Sequence, residues 1–154
     1  MTGEKYLALL DKAIAEVQKL QPHVKRIAIW GFCFGGKLAY VSGVDRRVTD
    51  IVSFYGGASL EPGFYQQLSS FWALIDERRH DDMLRIFAAY GRDDAMIPAK
   101  DVATIQDLLE KDKIQHEVRL YDAGHAFFNE DRADRYNAAA TQKAWMDVKK
   151  FLRA

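Results

Sequence analysis

The chain has 154 residues, 49% hydrophobic and 29% charged, which is enough apolar material for one globular domain with a core and too much for a disordered chain. Lysine plus arginine and aspartate plus glutamate number 22 each, so no excess positive field points to nucleic acid or to an anionic membrane. One cysteine, Cys33, excludes an intrachain disulfide and a cysteine-rich zinc site; no apolar run approaches the roughly 20 residues of a membrane span, and MTGEKYLALL lacks a secretory pattern, so a cytoplasmic location is expected.

Tyr6, Leu7, Leu10, Ile14, Val17 and Leu20 recur at helical spacing, which predicts an amphipathic helix over 4–20 that ends near Gln21-Pro22. RIAIW (26–30) reads as a short buried strand, 35–42 as a helix stopped by Gly43, and VTDIVSFYGG (48–57) as a second strand. Phe64, Leu68, Phe71, Trp72 and Ile75 mark one face of a helix over 62–79 that Pro62 can open. LRIFAAYG (84–91) is a third strand, 99–111 a helix after Pro98, HEVRLYDAG (116–124) a fourth strand, and 133–152 a closing helix carrying Tyr136, Ala140, Ala144, Trp145, Val148, Phe151 and Leu152.

Strands apolar on both faces that alternate with helices predict an α/β fold, with about four parallel strands and helices on both faces, forming a single domain over 1–154. In such sheets chemistry gathers past the carboxyl ends of the strands, here residues 31–34, 55–58, 91–95 and 122–128. The first end holds Gly31-Phe32-Cys33-Phe34-Gly35. A side chain in the middle of a sharp strand-to-helix turn points outward, flanking glycines let the backbone pass close, and a helix N-terminus favours thiolate over thiol. Cys33 is therefore a candidate nucleophile. A thiol nucleophile wants an imidazole to take its proton and a carboxylate to orient the imidazole. The third strand end offers Asp93 or Asp94, and the fourth offers His125, in the chain order Cys, Asp, His.

The segments GFCFGG, GRDDAMIP and YDAGHAFFNEDRADRYNAAATQKAW resemble the dienelactone hydrolase (carboxymethylenebutenolidase) family of α/β-hydrolases, and the match runs over almost the whole chain. The resemblance implies a Cys-His-Asp hydrolase of small esters or lactones with no metal or organic cofactor, Cys33 on the nucleophile, His125 on the base and, from the spacing to Pro98, Asp94 on the acid. It also implies that this is a truncated α/β-hydrolase fold. Family elements before the first helix, with one oxyanion-hole N–H, a glutamate near the resting cysteine and a carboxylate-binding arginine, have no counterpart here, and Asn129 stands where a second arginine is expected. Phe34 N–H remains as an oxyanion donor, and slow turnover without preference for carboxylate-bearing lactones is expected.

Other candidates are weaker. His23 reads as a loop residue, and His116 has no partner at metal spacing. His80-Asp81-Asp82 diverge in direction and read as a helix end, while Arg92, Arg132, Arg135 and Tyr136 are candidate site-lining groups. The aromatic helix 62–79 reads as core or interface before lid. A non-catalytic remnant used for binding or assembly, and a thiol redox protein, are the alternative functions; the lack of a second cysteine weighs against the latter. With no preceding strand, RIAIW becomes a sheet edge guarded only by Lys25 and Arg26, so a homodimer through that edge is expected.

Overall fold

In the computed structural model, which describes residues 3–57 and 83–154, the elements in order are α1 (Gly3–Leu20), β1 (Ala28–Phe32), α2 (Phe34–Ser42), β2 (Asp50–Phe54), β3 (Arg85–Gly91), α3 (Ala99–Lys111), β4 (Gln115–Tyr121) and α4 (Ala138–Arg153). The strands form one parallel sheet in the order β1-β2-β3-β4, as the alternation of helix and strand predicts. The helix expected over 62–79 and the His80-Asp81-Asp82 cluster lie outside the described residues.

Alternate strand residues serve opposite faces of the sheet. On one face Ser53 Oγ donates to Gly36 O at 3.1 Å, and the Tyr40 and Tyr90 hydroxyls meet at 2.8 Å, which seats α2. Helix α1 lies on α2 through Tyr6 and Ser42, whose oxygens are 2.6 Å apart. Only part of its apolar face is covered: Leu10 and Ile14 are buried, while Val17 and Leu20 are exposed. On the other face α4 stacks Trp145 on Trp30 and sets Phe151 at a tilt against Phe87, with ring centroids 5.5 and 5.6 Å apart. Between them lies a core of Ile51, Val52, Phe54, Ile86, Phe87 and Ile105, all without exposed surface.

The ends opposite the candidate site are tied by one buried charge. Asp50, 1% exposed, accepts from Arg26 Nε at 3.1 Å, Arg85 Nε at 2.8 Å and Thr49 Oγ1 at 2.8 Å, so one carboxylate joins the starts of three strands. Removing one partner from such a group typically costs about 3–5 kcal/mol.

This bond also explains a shifted boundary. The first strand runs over 28–32 and not 26–30, because the Arg26 side chain is turned to Asp50 and the Ile27 N–H bonds the Thr49 hydroxyl at 3.1 Å. The closing helix starts at Ala138, five residues later than its pattern suggests, because Asn137 caps it by accepting from Ala140 N–H at 3.0 Å. Gly43 ends α2 with φ −65°, so its left-handed freedom is not used; a Cβ there would lie 3.0 Å from Ile51 Cδ1.

The glycines around Cys33 have unequal roles. A Cβ on Gly31 would fall 1.9 Å from Gly35 O, and one on Gly36 would fall 2.8 Å from Gly56 Cα, so β1, α2 and the end of β2 close on each other only with hydrogen at both places. Gly35 itself has nothing within 4 Å of its Cβ position, against the expectation that both flanking glycines are sterically required. Gly31→Ala is therefore expected to lower the melting temperature sharply. Gly35→Ala, inside α2, is expected to leave it unchanged or raise it by the few degrees that a helix preference of about 1 kcal/mol gives, with thermal unfolding of the two variants as the check.

Among the described residues β1 has no strand on its outer side. Phe32 and Trp145, both in contact with Trp30, are each 43% exposed, and among the described residues the buried indole N–H of Trp30 has no partner. We propose that a second copy covers this edge, since antiparallel pairing of two identical edges satisfies both rows of backbone groups at once. Light scattering at micromolar concentration is expected to give twice the 17.6 kDa chain mass, and a clean monomer would contradict the pairing.

Candidate active site

Cys33 is the one residue between β1 and α2, and its backbone is bent to φ 51°, ψ −116°. Left-handed φ is costly for a residue with a Cβ. Two hydrogen bonds hold it there: Cys33 N–H donates to Phe54 O at 2.9 Å, and Lys37 N–H donates to Cys33 O at 3.2 Å. The thiol is left exposed at the head of α2, whose first residue is Phe34.

The turn after β3 delivers the carboxylate. Asp94 Oδ1 accepts from the amides of Met96 at 2.8 Å and Ile97 at 3.1 Å, which fixes the plane of the carboxyl group and turns Oδ2 toward the sheet's carboxyl edge. Asp93 is exposed beside it, its amide bonded to Ala123 O at 3.1 Å, so the geometry distinguishes two acids that the sequence places side by side. Gly91 lets the β3 and β4 turns approach, since a Cβ there would lie 2.2 Å from Ala123 O.

The loop after β4 delivers the imidazole. It is anchored by Phe127, which is fully buried and whose carbonyl accepts from Asn137 N–H at 3.0 Å and from the Thr141 hydroxyl at 2.9 Å. The loop leaves His125 with its side chain 9% exposed and Ala126 at φ 63°. His125 Nδ1 lies 2.7 Å from Asp94 Oδ2, and Nε2 lies 3.4 Å from Cys33 Sγ. A carboxylate only accepts, so Nδ1 carries the proton and the neutral ring presents the Nε2 lone pair to the thiol. The hydrogen bond to Asp94 raises the His125 pKa above the ordinary 6.5; burial opposes this, and the bond to Cys33 adds to it.

The other sequence candidates do not converge here. His116 Nδ1 lies 2.7 Å from Ile114 O, Arg92 pairs with Asp122, Arg132 and Arg135 pair with Asp134, and the Tyr136 hydroxyl donates to Glu130. Asn129 turns back on its own loop, accepting from Asp131 N–H at 3.1 Å. Among the described residues no group of His, Cys, Asp and Glu is arranged to hold a metal, and no helix is long and apolar enough to cross a membrane.

One residue at the site escapes the sequence pattern. Tyr55, 3% exposed, follows β2 at φ 38° with its ring centroid 5.0 Å from that of His125. The two glycines that follow it signal a turn, but nothing in FYGG indicates that the tyrosine turns under the imidazole.

A sequence model of the dienelactone hydrolase family matches residues 2–154. A relative from Synechocystis, named "Putative carboxymethylenebutenolidase", is 32% identical over 157 residues, covering 99% of this chain and 60% of its own. A protein of the same name from Escherichia coli K12 is 28% identical, with 96% and 53% covered. The crystal structure of a "Putative Dienelactone Hydrolase" from Klebsiella pneumoniae superposes with a TM-score of 0.77 at 24% identity, over 92% of this chain and 57% of that one. The chain thus spans roughly half to three-fifths of the length of these relatives. With the family model matched from the second residue to the last, the chain belongs to the dienelactone hydrolase family of the α/β-hydrolase superfamily.

Proposed function

We propose that this chain hydrolyses small carboxylic esters or lactones, with Cys33 as nucleophile, His125 as general base and acid, and Asp94 as the group that orients His125. The observation that carries the reading is the unbroken path from Asp94 Oδ2 through both imidazole nitrogens to Cys33 Sγ, with steps of 2.7 and 3.4 Å. The curated relatives named carboxymethylenebutenolidase support reading lactones beside esters as the substrate class.

The steps follow from the atoms present. His125 Nε2 accepts the thiol proton as Sγ attacks the acyl carbon, and the carbonyl π electrons move to oxygen. The amide of Phe34, next after the nucleophile, is the donor such a turn aims at that oxygen. Collapse breaks the bond to the alkoxy oxygen, which takes the proton back from Nε2; for a lactone the leaving oxygen stays tethered to the acyl group. Water, deprotonated by the same Nε2, then cleaves the thioester and restores the thiol. Asn129 is engaged with its own loop, so no carboxylate clamp is assigned at that position, and a carboxylate-bearing lactone is expected to react no faster than its methyl ester.

p-Nitrophenyl acetate is expected to be turned over by the wild type and not by Cys33→Ala or His125→Ala. Equal rates in all three would favour a binding or assembly role, and peroxide-driven sulfenate at Cys33 without esterase activity would favour redox chemistry. The pH profile gives a second check. Protonated His125 cannot accept the thiol proton, so kcat/KM is expected to fall as pH drops through a midpoint above 6.5. Asp94→Asn removes the largest cause of the raised pKa, so the midpoint is expected to move down while the rate falls by up to about 10⁴-fold. A midpoint that stays put would contradict the role given to Asp94.

A further inference from the structure

Of the three strand ends that supply Cys33, Asp94 and His125, none holds the imidazole from below; that is done by the end of β2. Tyr55 follows Phe54 with its N–H bonded to Ala89 O at 2.7 Å and its carbonyl accepting from Gly57 N–H at 3.1 Å. These bonds fix the backbone at φ 38°, a region that glycine or asparagine enters readily and an aromatic residue does not. Glycine would relieve the strain, yet a tyrosine is there, 3% exposed, so the side chain is what the position is built around.

The ring has a defined task. Its centroid is 5.0 Å from that of His125 at an interplanar angle of 56°, and 5.6 Å from that of Phe127, which it meets edge-on at 70°. Burial keeps the phenol protonated, its pKa pushed up to about 12. The ring therefore supports both the imidazole and Phe127, and Ala126, between these two contacts, is itself left-handed at φ 63°. A ring face within about 6 Å also attracts the imidazolium formed when Cys33 gives up its proton.

We propose that Tyr55 is a positioning residue of this site: through its ring it holds the His125 loop so that Nδ1 meets Asp94 and Nε2 meets Cys33 at the same time. The inference rests on the hydrolase reading only for its effect on turnover, because the position of His125 can be read without substrate.

The test uses Tyr55→Phe, which keeps the ring, and Tyr55→Leu, which removes both contacts. With the ring kept in Tyr55→Phe, the pH midpoint of kcat/KM on p-nitrophenyl acetate is expected to stay at the wild-type value. Loss of the ring is expected to lower kcat by about ten- to a hundredfold, the scale of a misplacement near 1 Å. Proton NMR reads the same geometry directly: the far-downfield Nδ1 resonance of His125 is expected in the wild type, retained in Tyr55→Phe and broadened or lost in Tyr55→Leu. An unchanged resonance and unchanged kcat in both variants would overturn the proposal. A wild type that shows the resonance but hydrolyses nothing would refute the hydrolase reading, and the loss or survival of the resonance in Tyr55→Leu would still decide the role of Tyr55. If Tyr55→Leu does not fold, Tyr55→Met, which fills much of the volume without a ring, takes its place, and a folded Tyr55→Met protein with the wild-type resonance and wild-type kcat overturns the proposal.

Discussion

The site depends on a backbone conformation that Cys33 would not choose alone. At φ 51° and ψ −116° a residue with a Cβ bears a cost of about 1–3 kcal/mol, and the neighbours must supply it. They do so through the amide bond to Phe54 O, the carbonyl bond from Lys37 N–H, and the close approach of Gly31 to the Gly35 carbonyl, which no other residue at 31 would permit. Beneath the turn Ser53 bonds Gly36 O, Tyr90 bonds Gly56 O and Tyr40 bonds Tyr90, so the backbone groups freed by the tight packing find buried partners. The exposed thiol is the consequence of all these contacts together.

Strain of the same kind recurs around the site. Of the four left-handed non-glycine residues among those described, Cys33, Tyr55 and Ala126 lie at the carboxyl ends of β1, β2 and β4, and only Lys113 lies elsewhere. The opposite rim of the sheet carries the Asp50 cluster, where one buried carboxylate ties Arg26, Thr49 and Arg85. One end of the sheet is thus built for stability and the other for aiming side chains at a common point, the division expected of parallel sheets whose chemistry sits past the strand ends.

The sequence makes much of this legible, for physical reasons that can be named. Buried parallel strands such as β2 and β3 read as continuous apolar runs and the half-exposed edge strand β4 as alternating Val118 and Leu120 with charged residues, so all four strands of the sheet can be found, and the residues just past them are then known without coordinates. Cys33, Asp94 and His125 are legible because each follows such a run in a glycine-bearing turn. The boundaries slip where a side chain overrides a pattern: Arg26 looks like the start of a strand but is drawn to Asp50, and residues 133–137 look helical until Asn137 accepts the cap from Ala140. The need for glycine at 31 and its dispensability at 35 are illegible, because both depend on which atoms of another turn lie within 4 Å. Tyr55 is hidden for the same reason, since the conformation that places its ring under His125 is imposed by contacts across the sheet.

The account stands on Cys33 being the atom that attacks. A reaction with p-nitrophenyl acetate stopped in acid and analysed by peptide mass spectrometry is expected to show one acetyl group, carried as a thioester on the peptide containing Cys33 and absent from Cys33→Ala. Turnover that persists in Cys33→Ala, or an acetyl group found on any other side chain while Cys33 stays unmodified, would contradict it.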